Sequence, residues 1–259
     1  MNKKLHTPVA ITRPVSKLLA DCELTHLSRS PIDIDKAREQ HKAYEQVLEK
    51  LGYTILRIPE THDLPDGVFV EDCGVVLPEI AIVTRPGAAS RRPELQTIKP
   101  ALSEYRKLAC LTPPATLDGG DVLVAGKTIF VGLSQRTNRE GVEQLARIAV
   151  PLGYNVSGIS LTECLHLKTA VTRLSDEHLL LNPDWVSRDF FDGFKTTAVH
   201  MDEPFAANVL AIGNKVMCPA SCPLTAQIIK NLGFDVIAVD QSELAKAEAG
   251  LTCCSILVD

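Results

Sequence analysis

A cysteine pair is the first feature of this sequence that could do chemistry. Cys253 and Cys254 lie in the segment LTCCSILVD, at residues 251–259, where they open an apolar run. A thiolate is a strong nucleophile, and covalent catalysis by cysteine needs a proton carrier beside it and a carboxylate that orients this carrier. The alternative is a packing role, because cysteine is among the most buried residue types. The pair therefore directs attention to histidines and carboxylates that the fold could bring to it.

Candidate partners stand immediately before other apolar runs. They are Glu71 and Asp72, Asp118 and Asp121, and His166 and Lys168. If these positions converge, a thiol, an imidazole and several carboxylates share one pocket. Such a pocket suits a planar cation such as a guanidinium, which carboxylates bind through paired N–H bonds and which would lower the thiol pKa. Taken singly, each residue also fits a solvated turn, a helix cap or a core position.

The elements that would position these residues recur along the chain. Two apolar runs joined by a short polar turn occupy residues 69–87, 117–138, 166–182 and 207–221, and the segment 251–259 resembles a fifth start. The polar positions before the runs are Asp72, Asp121, Lys168, Asn208 and Cys253, at separations of 49, 47, 40 and 45 residues. A period of this length is typical of propellers and of arrays of hairpin-plus-helix units.

Helical segments follow several of these hairpins. The segment 137–153 has Thr137 as the predicted N-cap and Gly153 as the predicted stop, and a second helix is predicted to end at Gly233, before the strand DVIAVD. A long amphipathic helix over 32–52 precedes the strand YTILRIP. The repeating unit is therefore strand, strand, helix, strand, about five times.

These units predict a ring. The last unit has only its first strand, so the N-terminal helix and strand would complete it. We therefore predict a single α/β domain over 1–259, a five-bladed propeller of ββαβ-type repeats closed by the N- and C-terminal segments, with the strand heads near its axis. A doubly wound α/β sheet is the alternative.

Composition narrows the class of protein. The 259 residues are 45% hydrophobic and 23% charged with a net charge of −5, which gives no reason to expect nucleic acid or a membrane as partner. No apolar run suits a signal peptide or a membrane helix, so a cytoplasmic location is expected. The eight cysteines are scattered, which favours reduced thiols. Cys218 and Cys222 lack a second pair at zinc-ligand spacing, so neither metal nor cofactor is expected.

Several longer motifs resemble one known family. They are FVED at 69–72, IVTRPGAASRR at 82–92, LDGGDVL at 117–123, VGLSQRTN at 131–138, LHLKT at 165–169 and LTCCS at 251–255. Together they resemble the dimethylarginine dimethylaminohydrolases, guanidine-modifying enzymes of the pentein superfamily, whose fold is a five-bladed α/β propeller. The resemblance covers nearly the whole chain. It implies hydrolysis of an N-omega-methylated arginine to citrulline and an alkylamine through a covalent cysteine thiouronium, without a cofactor, and a possible homodimer.

The resemblance also implies roles for individual residues. Cys253 would be the nucleophile, His166 the general acid and base, and Asp118 the carboxylate that orients His166, whereas Cys254 would pack in the core. The implied substrate-binding residues are Asp66 and Phe69, which would line the pocket, Glu71 and Asp72, which would hold the guanidinium, and Arg91 and Arg136, which would pair with the substrate α-carboxylate.

Two regions fit the family pattern less well. Relatives tend to have Asp-Gly where this chain has Glu248-Ala249, and the acidic residue is expected near the guanidinium nitrogens. The segment from about 21 to 31 is expected to form a lid over the site, with Leu24 as its capping residue.

Other functions stay open on the sequence alone. An arginine deiminase or another small-guanidine hydrolase on the same fold would release a different amine. A metal or redox protein would use Cys218, Cys222, Cys253 and Cys254, and would contain stoichiometric metal. A plain interaction module would not be stabilised by small guanidines.

Overall fold

Short strands dominate the architecture. The computed structural model describes residues 7–60, 63–161 and 164–259, and within these ranges fifteen strands form five three-stranded sheets. The strands are β1 (Val9–Thr12), β2 (Thr54–Arg57), β3 (Gly74–Val76), β4 (Ala81–Val83), β5 (Leu108–Cys110), β6 (Val122–Ala125), β7 (Thr128–Leu133), β8 (Asn155–Ser160), β9 (Val171–Ser175), β10 (His178–Leu181), β11 (Lys195–Ala198), β12 (Leu210–Ile212), β13 (Lys215–Pro219), β14 (Asp235–Val239) and β15 (Ile256–Val258). The α-helices are α1 (Ile34–Lys50), α2 (Leu95–Ser103), α3 (Arg139–Ala149), α4 (Leu167–Ala170), α5 (Pro223–Asn231) and α6 (Ser242–Ala245).

Each sheet is one blade with the same internal order. The first two strands of a blade pair antiparallel and the second and third pair parallel, as in β3-β4-β5 and β6-β7-β8. A parallel pair needs a crossover connection, which α2, α3 and α5 supply in three blades. In the blade of β9, β10 and β11, a 3-10 turn at Arg188–Phe191 lies in the crossover. The strand, strand, helix, strand unit is therefore confirmed.

The ring closes between the two ends of the chain. Strand β15 pairs antiparallel with β1, with Val258 opposite Val9, and β1 pairs parallel with β2, with Val9 opposite Thr54. Helix α1 makes the crossover between β1 and β2. The predicted closure by the terminal segments is confirmed. The sequence pattern predicts α1 and β2 but not β1, because VAIT is too short to show a periodicity.

Five apolar clusters separate the neighbouring blades within the described ranges. One of them packs Val75 and Ile82 of one blade against Ile129 and Leu145 of the next. The apolar side chains thus pack between the blades, and polar residues remain at the strand heads near the axis of the ring. No helix among the described residues is both long and apolar enough to cross a membrane.

A helical turn precedes the first strand of every blade. These turns are Val70–Cys73, Gly119–Asp121, α4, Pro204–Ala207 and Leu251–Cys254. The turns at Gly119–Asp121 and Leu251–Cys254 both contact the turn at Val70–Cys73. The strand heads therefore converge, as the sequence predicts, although the turns themselves gave no sequence signal.

The helix of the second blade begins one residue later than predicted. The side-chain amide oxygen of Asn138 accepts the N–H of Gly141 at 2.8 Å and so caps α3. Thr137, the predicted N-cap, instead donates its hydroxyl to Asp121 at 2.6 Å. The predicted stops hold, since Gly153 and Gly233 have φ values of +85° and +95°.

Candidate active site

A small cavity lies where the helical turns meet. Its volume is about 20 Å³, and both Cys253 and His166 line it. The other lining residues are Glu23, Asp66, Phe69, Asp72, Arg91, Arg136, Leu165, Ala247, Glu248 and Ala249. The fold thus brings a thiol, an imidazole and carboxylates from distant parts of the chain to one place.

Cys253 stands on the turn Leu251–Cys254 with its sulfur held by the backbone. The N–H of Gly250 donates to Cys253 Sγ at 3.3 Å. Burial and the nearby charges of Glu71 and Asp72 raise the pKa of the Cys253 thiol to about 12. This sulfur is therefore a thiol at neutral pH. Its neighbour Cys254 is 1% exposed and packs in the core.

His166 lies between two carboxylates. Its Nε2 is 3.1 Å from Asp118 Oδ2, and its Nδ1 is 3.9 Å from Asp72 Oδ1. Burial disfavours the charged ring, but Asp72, Asp121 and Asp118 outweigh that cost and raise the His166 pKa to about 9. His166 is therefore an imidazolium at neutral pH, ready to donate a proton.

Asp118 is fixed from its other side. It is fully buried, and its Oδ1 accepts the N–H of Gly87 at 2.8 Å. A carboxylate held in this way can keep the His166 ring in one orientation. The geometry therefore suits the orienting role that the family resemblance implies for Asp118.

Asp72 is the ionised carboxylate of the cavity. Its Oδ2 accepts from Arg91 Nη1 at 2.5 Å, and its Oδ1 accepts the N–H of Gly120 at 3.0 Å. Burial works against ionisation, but His166 and Arg91 lower the Asp72 pKa to about 2. The LDGGD motif needs glycine here, because a Cβ on Gly120 would lie 2.7 Å from His166 Nδ1 and 2.8 Å from Asp72 Oδ1.

Asp121 positions the segment that carries His166. Its Oδ2 accepts from the hydroxyls of Ser134 and Thr137, both at 2.6 Å, and its Oδ1 accepts the N–H of Leu167 at 2.9 Å. Burial raises the Asp121 pKa to about 6, with His166 and the hydrogen bonds acting in the opposite direction. Sequence analysis placed Asp121 at a strand head but gave it no role.

A lid segment covers the cavity and is anchored by Glu248. The Glu248 carboxylate accepts the N–H groups of Thr25 at 3.0 and 3.1 Å, His26 at 2.6 Å and Leu27 at 2.5 Å. Its backbone φ is +58°, a value that residues other than glycine rarely adopt. The carboxylate of the Glu248-Ala249 departure therefore bonds to the lid backbone.

Glu71 lines a different cavity from Asp72. Its carboxylate pairs with Lys168 Nζ and accepts the Thr252 hydroxyl at 2.7 Å, and burial raises its pKa. It lines a channel of about 190 Å³ beside the first strands of the blades, and it is not among the described residues that line the cavity of Cys253 and His166. The fold thus separates Glu71 from Asp72 although the two are adjacent in sequence.

Comparison with known proteins places the chain. Residues 25–184 match the family model described as N,N dimethylarginine dimethylhydrolase, eukaryotic. The chain is 38% identical to an N(G),N(G)-dimethylarginine dimethylaminohydrolase of Streptomyces coelicolor, over 95% of each chain. The chain belongs to the dimethylarginine dimethylaminohydrolase family. The similarity includes the fold, since a cysteine-to-serine mutant of the Pseudomonas aeruginosa dimethylarginine dimethylaminohydrolase complexed with citrulline superposes with a TM-score of 0.93 at 34% identity, over 98% of this chain and all of that one.

A second dimethylarginine dimethylaminohydrolase structure bears on the chemistry of the family. It is a histidine-to-glycine variant as its adduct with S-methyl-L-thiocitrulline, with a TM-score of 0.91 at 34% identity, over 98% of this chain and 100% of that chain. The five-bladed pentein fold and the hydrolase class predicted from the sequence are therefore confirmed for this member of the family.

The two arginines that the family resemblance assigns to the substrate differ in burial and in the number of their hydrogen-bond partners. Arg91 is buried, and its guanidinium donates to Glu94 twice at 2.9 Å, to the Phe69 carbonyl at 2.8 Å and to Asp72. Of its five N–H donors, one on Nη1 has no partner among the described residues. Arg136 is half-buried and donates from Nη2 to the Thr25 hydroxyl of the lid at 3.3 Å. Arg136 can therefore turn toward a ligand more easily than Arg91.

The remaining pocket residues occupy the cavity wall and the lid. Asp66 accepts the N–H of Glu23 at 3.2 and 3.3 Å, and burial, opposed by Arg91, raises the Asp66 pKa to about 6. Phe69 is buried in the wall. Leu24 packs against an apolar cluster, and it is Glu23 that lines the cavity among the described lid residues.

One group of side chains has the spacing of a metal site. Ligand atoms of Asp72, Asp118 and His166 lie within 4.8 Å of one another, the one such group within the described ranges. Their oxygens already accept from Arg91 and from the backbone, so the group serves as a hydrogen-bond network. The four cysteines of the metal or redox alternative form no such group in the described part of the chain.

Proposed function

We propose that this protein hydrolyses the substituted guanidinium of an N-omega-methylated arginine to citrulline and an alkylamine. The observation that carries the proposal is the meeting of Cys253, charged His166 and ionised Asp72 in one cavity of a chain that belongs to this family. A thiol, a proton donor and a fixed anion are what attack on a cationic carbon requires.

The charge of the substrate cation favours deprotonation of the Cys253 thiol. The guanidinium enters a cavity whose fixed anion is Asp72, with Asp66 in the same wall. Its positive charge offsets the Glu71 and Asp72 charges that hold the Cys253 pKa high, so binding makes the thiolate accessible. Catalysis thereby depends on the charge of the ligand, and neutral ureas do not activate the sulfur.

The reaction proceeds in two displacements. The Cys253 thiolate adds to the guanidinium carbon, His166 protonates the substituted nitrogen, and the C–N bond breaks to release the alkylamine. This leaves a cationic S-alkylthiouronium on Cys253. Neutral His166 then takes a proton from water as the water oxygen adds to the same carbon. The C–S bond breaks to give citrulline and the thiolate, and the second proton of that water is released to solvent. Asp118 keeps the His166 ring in place for both proton transfers.

The α-amino-acid end of the substrate needs its own partners. Arg136 pairs with the α-carboxylate after releasing Thr25, and Arg91 contributes its remaining N–H. Phe69 contributes an apolar contact, and Glu248 acts on the substrate through the lid rather than by direct contact with the guanidinium. Glu71 acts on the guanidinium electrostatically from the channel side.

An arginine deiminase is the closest alternative on this fold. The N-terminal domain of the arginine dihydrolase ArgZ has a TM-score of 0.87 over 97% of this chain, but at 19% identity the likeness extends to the fold alone. The 38% identity to a dimethylarginine dimethylaminohydrolase favours methylated substrates.

The test compares asymmetric dimethylarginine, monomethylarginine and arginine side by side, with citrulline and the released amine both quantified. We expect the methylated substrates to give citrulline with methylamine or dimethylamine in equal amounts. Cys253→Ser is expected to fold with the wild-type unfolding midpoint and to lose turnover. The matched control is Cys110→Ser, since Cys110 is exposed and remote from the cavity lining. Ammonia from arginine as the main product, or citrulline formation by Cys253→Ser at the wild-type rate, would refute the proposal.

The finer statements about setting are also proposals. We propose a cytoplasmic location, which the free cysteines favour because reduced thiols persist there, and a homodimer, which the family resemblance implies. Neither nucleic acid nor a membrane is proposed as a partner, since the net charge is −5. Sedimentation of the purified protein at several concentrations measures the oligomeric state.

A further inference from the structure

Asn208 is the polar residue at the head of the fourth blade, and the proposed mechanism leaves it without a role. It follows the turn Pro204–Ala207 and precedes β12, and it is 5% exposed. The other blade heads supply Asp72, Asp121, Lys168 and Cys253 to the site or its support. A buried carboxamide at the corresponding place calls for an account of its hydrogen bonds, because unpaired polar groups are costly in an interior.

The Asn208 side chain bridges the two segments that carry the reacting groups. Its Oδ1 accepts the N–H of Thr252 at 3.0 Å, and its Nδ2 donates to the Thr252 hydroxyl at 3.1 Å and to the Lys168 carbonyl oxygen at 3.0 Å. Thr252 immediately precedes Cys253, and Lys168 lies in α4, two residues after His166. One amide therefore joins the nucleophile turn to the segment that bears the proton donor.

These contacts form a closed circuit. The Thr252 hydroxyl accepts from Asn208 and donates to Glu71 Oε2 at 2.7 Å, and Glu71 pairs with Lys168, whose carbonyl accepts from Asn208. Glu71, Lys168 and Thr252 each lie in a helical turn at a blade head, and Asn208 directly follows a fourth such turn. Because each hydroxyl and amide has its partner, the arrangement allows little freedom of rotation.

Asn208 also packs against the donor that holds the sulfur. A Cβ on Gly250 would lie 2.2 Å from Asn208 Cγ, so only glycine allows the carboxamide to approach this closely. The N–H of that same Gly250 donates to Cys253 Sγ at 3.3 Å. The carboxamide thus contacts the backbone at Gly250, just before the turn at Leu251–Cys254, and at Thr252 within it.

We propose that Asn208 is a positioning residue for the nucleophile, which holds the turn bearing Cys253 against α4 so that sulfur, imidazole and substrate carbon meet in the geometry of attack. Asn208 is not among the described residues that line the catalytic cavity. Its loss should therefore lower the rate of the chemical step and leave substrate binding nearly unchanged. The identity of the substrate rests on the proposed function, whereas the positioning of the thiol does not.

The experiment uses two variants and a matched control. Asn208→Ala removes all three bonds, and Asn208→Asp keeps the acceptor for the Thr252 N–H while losing both donors. The control is Asn182→Ala, because Asn182 is 3% exposed, donates to the Pro204 carbonyl at 3.0 Å and accepts the Asp184 N–H at 3.0 Å, in the neighbouring turn. We expect kcat for dimethylarginine to fall about a hundredfold in both Asn208 variants with KM within about threefold of wild type, and kcat to stay within about threefold in Asn182→Ala.

A second readout is independent of substrate. The rate of Cys253 alkylation by iodoacetamide, followed by mass spectrometry from pH 6 to 10, reports on the environment of the sulfur. We expect its pH profile to move in both Asn208 variants and to stay in place in Asn182→Ala. Equal effects in the control, or a wild-type kcat and alkylation profile in the Asn208 variants, would overturn the proposal.

A third variant keeps the proposal testable if the Asn208 variants do not fold. Thr252→Val preserves the shape of the side chain and the backbone bond to Asn208 and removes only the hydroxyl that links Asn208 to Glu71. We expect kcat to fall about tenfold with KM unchanged, and a wild-type kcat would refute the circuit. If wild type fails to hydrolyse methylated arginine while the alkylation profile still depends on Asn208 and not on Asn182, the proposed function falls and the positioning role stands.

Discussion

At the scale of single residues, the site combines a protonated sulfur with a protonated imidazole. Burial and two carboxylates raise the Cys253 pKa to about 12, while burial is outweighed by three carboxylates at His166, whose pKa rises to about 9. The two pKa values are in the order that suits proton donation to a leaving amine but not spontaneous formation of a thiolate. We therefore expect a bound substrate cation to lower the Cys253 pKa, so that the reactive thiolate forms only when substrate is bound.

The raised His166 pKa also predicts how stability depends on pH. A group whose folded pKa lies above its unfolded value of about 6.5 stabilises the fold fully below that value, and this contribution is lost as pH rises through about 9. We expect wild type to lose up to roughly 3 kcal/mol of unfolding free energy relative to His166→Gln over this window. Urea unfolding of both proteins at pH 6, 7, 8 and 9 measures the difference.

The control for this prediction is His178→Gln. His178 is half-buried and its pKa is lowered by burial and by Lys195. It therefore costs stability at low pH, and this cost disappears as pH rises through the unfolded pKa of about 6.5, the opposite trend to that of His166. A difference between wild type and His166→Gln that stays constant from pH 6 to 9 would contradict a charged His166.

The sequence predicts which residues meet in the site, but it does not predict the individual contacts that they make there. The convergence of Cys253, His166, Asp118 and Asp72 follows from their places at, or two to three residues before, the polar position that opens each repeat. That Glu71 faces the channel could not be foreseen, because the helical turn Val70–Cys73 sends adjacent side chains to different sides. Thr137 reads as a helix cap in sequence, and only the position of Asp121 shows that its hydroxyl has another partner.

At the scale of elements, backbone N–H groups of the lid hold it over the cavity by binding Glu248. Three consecutive N–H groups, from Thr25 to Leu27, bind the Glu248 carboxylate, an arrangement that backbone nests provide for anions. With the lid in this position the cavity of about 20 Å³ is far below the few hundred Å³ of ordinary ligand sites, so the lid must move for substrate to enter. We therefore expect Glu248 to control how readily the lid opens.

Substitution of Glu248 should release the lid without unfolding the protein. In Glu248→Ala we expect hydrogen exchange at the amides of residues 25–27 to become at least about tenfold faster, because the loss of these bonds costs more than about 1.4 kcal/mol of local stability. Glu248→Gln should give an intermediate rate, since a neutral amide oxygen is a weaker acceptor than a carboxylate. Exchange is measured by NMR or mass spectrometry on the ligand-free protein.

The matched control for the lid is Glu104→Ala, at the exposed end of α2. It should leave exchange in the lid unchanged. Unchanged protection of the same three amides in Glu248→Ala would show that other contacts hold the lid, such as that between Glu23 and Asp66.

Secondary structure was predictable where elements are long and missed where they are short. Helix α1 spans 17 residues with a clear apolar face, so its pattern is visible in the sequence. Strand β1 has four residues, all buried, and carries no alternation that would distinguish it from a loop. The 3-10 turns at the blade heads have no periodic signature because they contain only three or four residues.

At the scale of the whole molecule, the ring depends on one pairing between its ends. Strand β15 joins β1, and Ile256 and Val258 contribute to the apolar cluster between the first and last blades. Without β15, strand β1 lacks its antiparallel partner and the cluster loses two buried aliphatic side chains.

Removal of residues 256–259 should therefore abolish cooperative folding. Two buried aliphatic side chains are worth about 1.5–3 kcal/mol each, and the three pairings with β1 are lost as well, a large part of a typical domain stability. Near-ultraviolet circular dichroism and thermal unfolding measure the effect. Removal of Asp259 alone is the control and should retain the fold and turnover, although it loses the bond from the Tyr53 hydroxyl. A truncated protein with the wild-type melting transition would contradict closure as a requirement.

The position of Cys253, three residues before the start of β15, also has a consequence in time. During synthesis this cysteine leaves the ribosome after His166, Asp118 and Asp72, and its turn gains its neighbours only when the final strand docks on β1. A nascent chain therefore carries no assembled nucleophile, and the appearance of turnover marks the moment at which the last blade is complete.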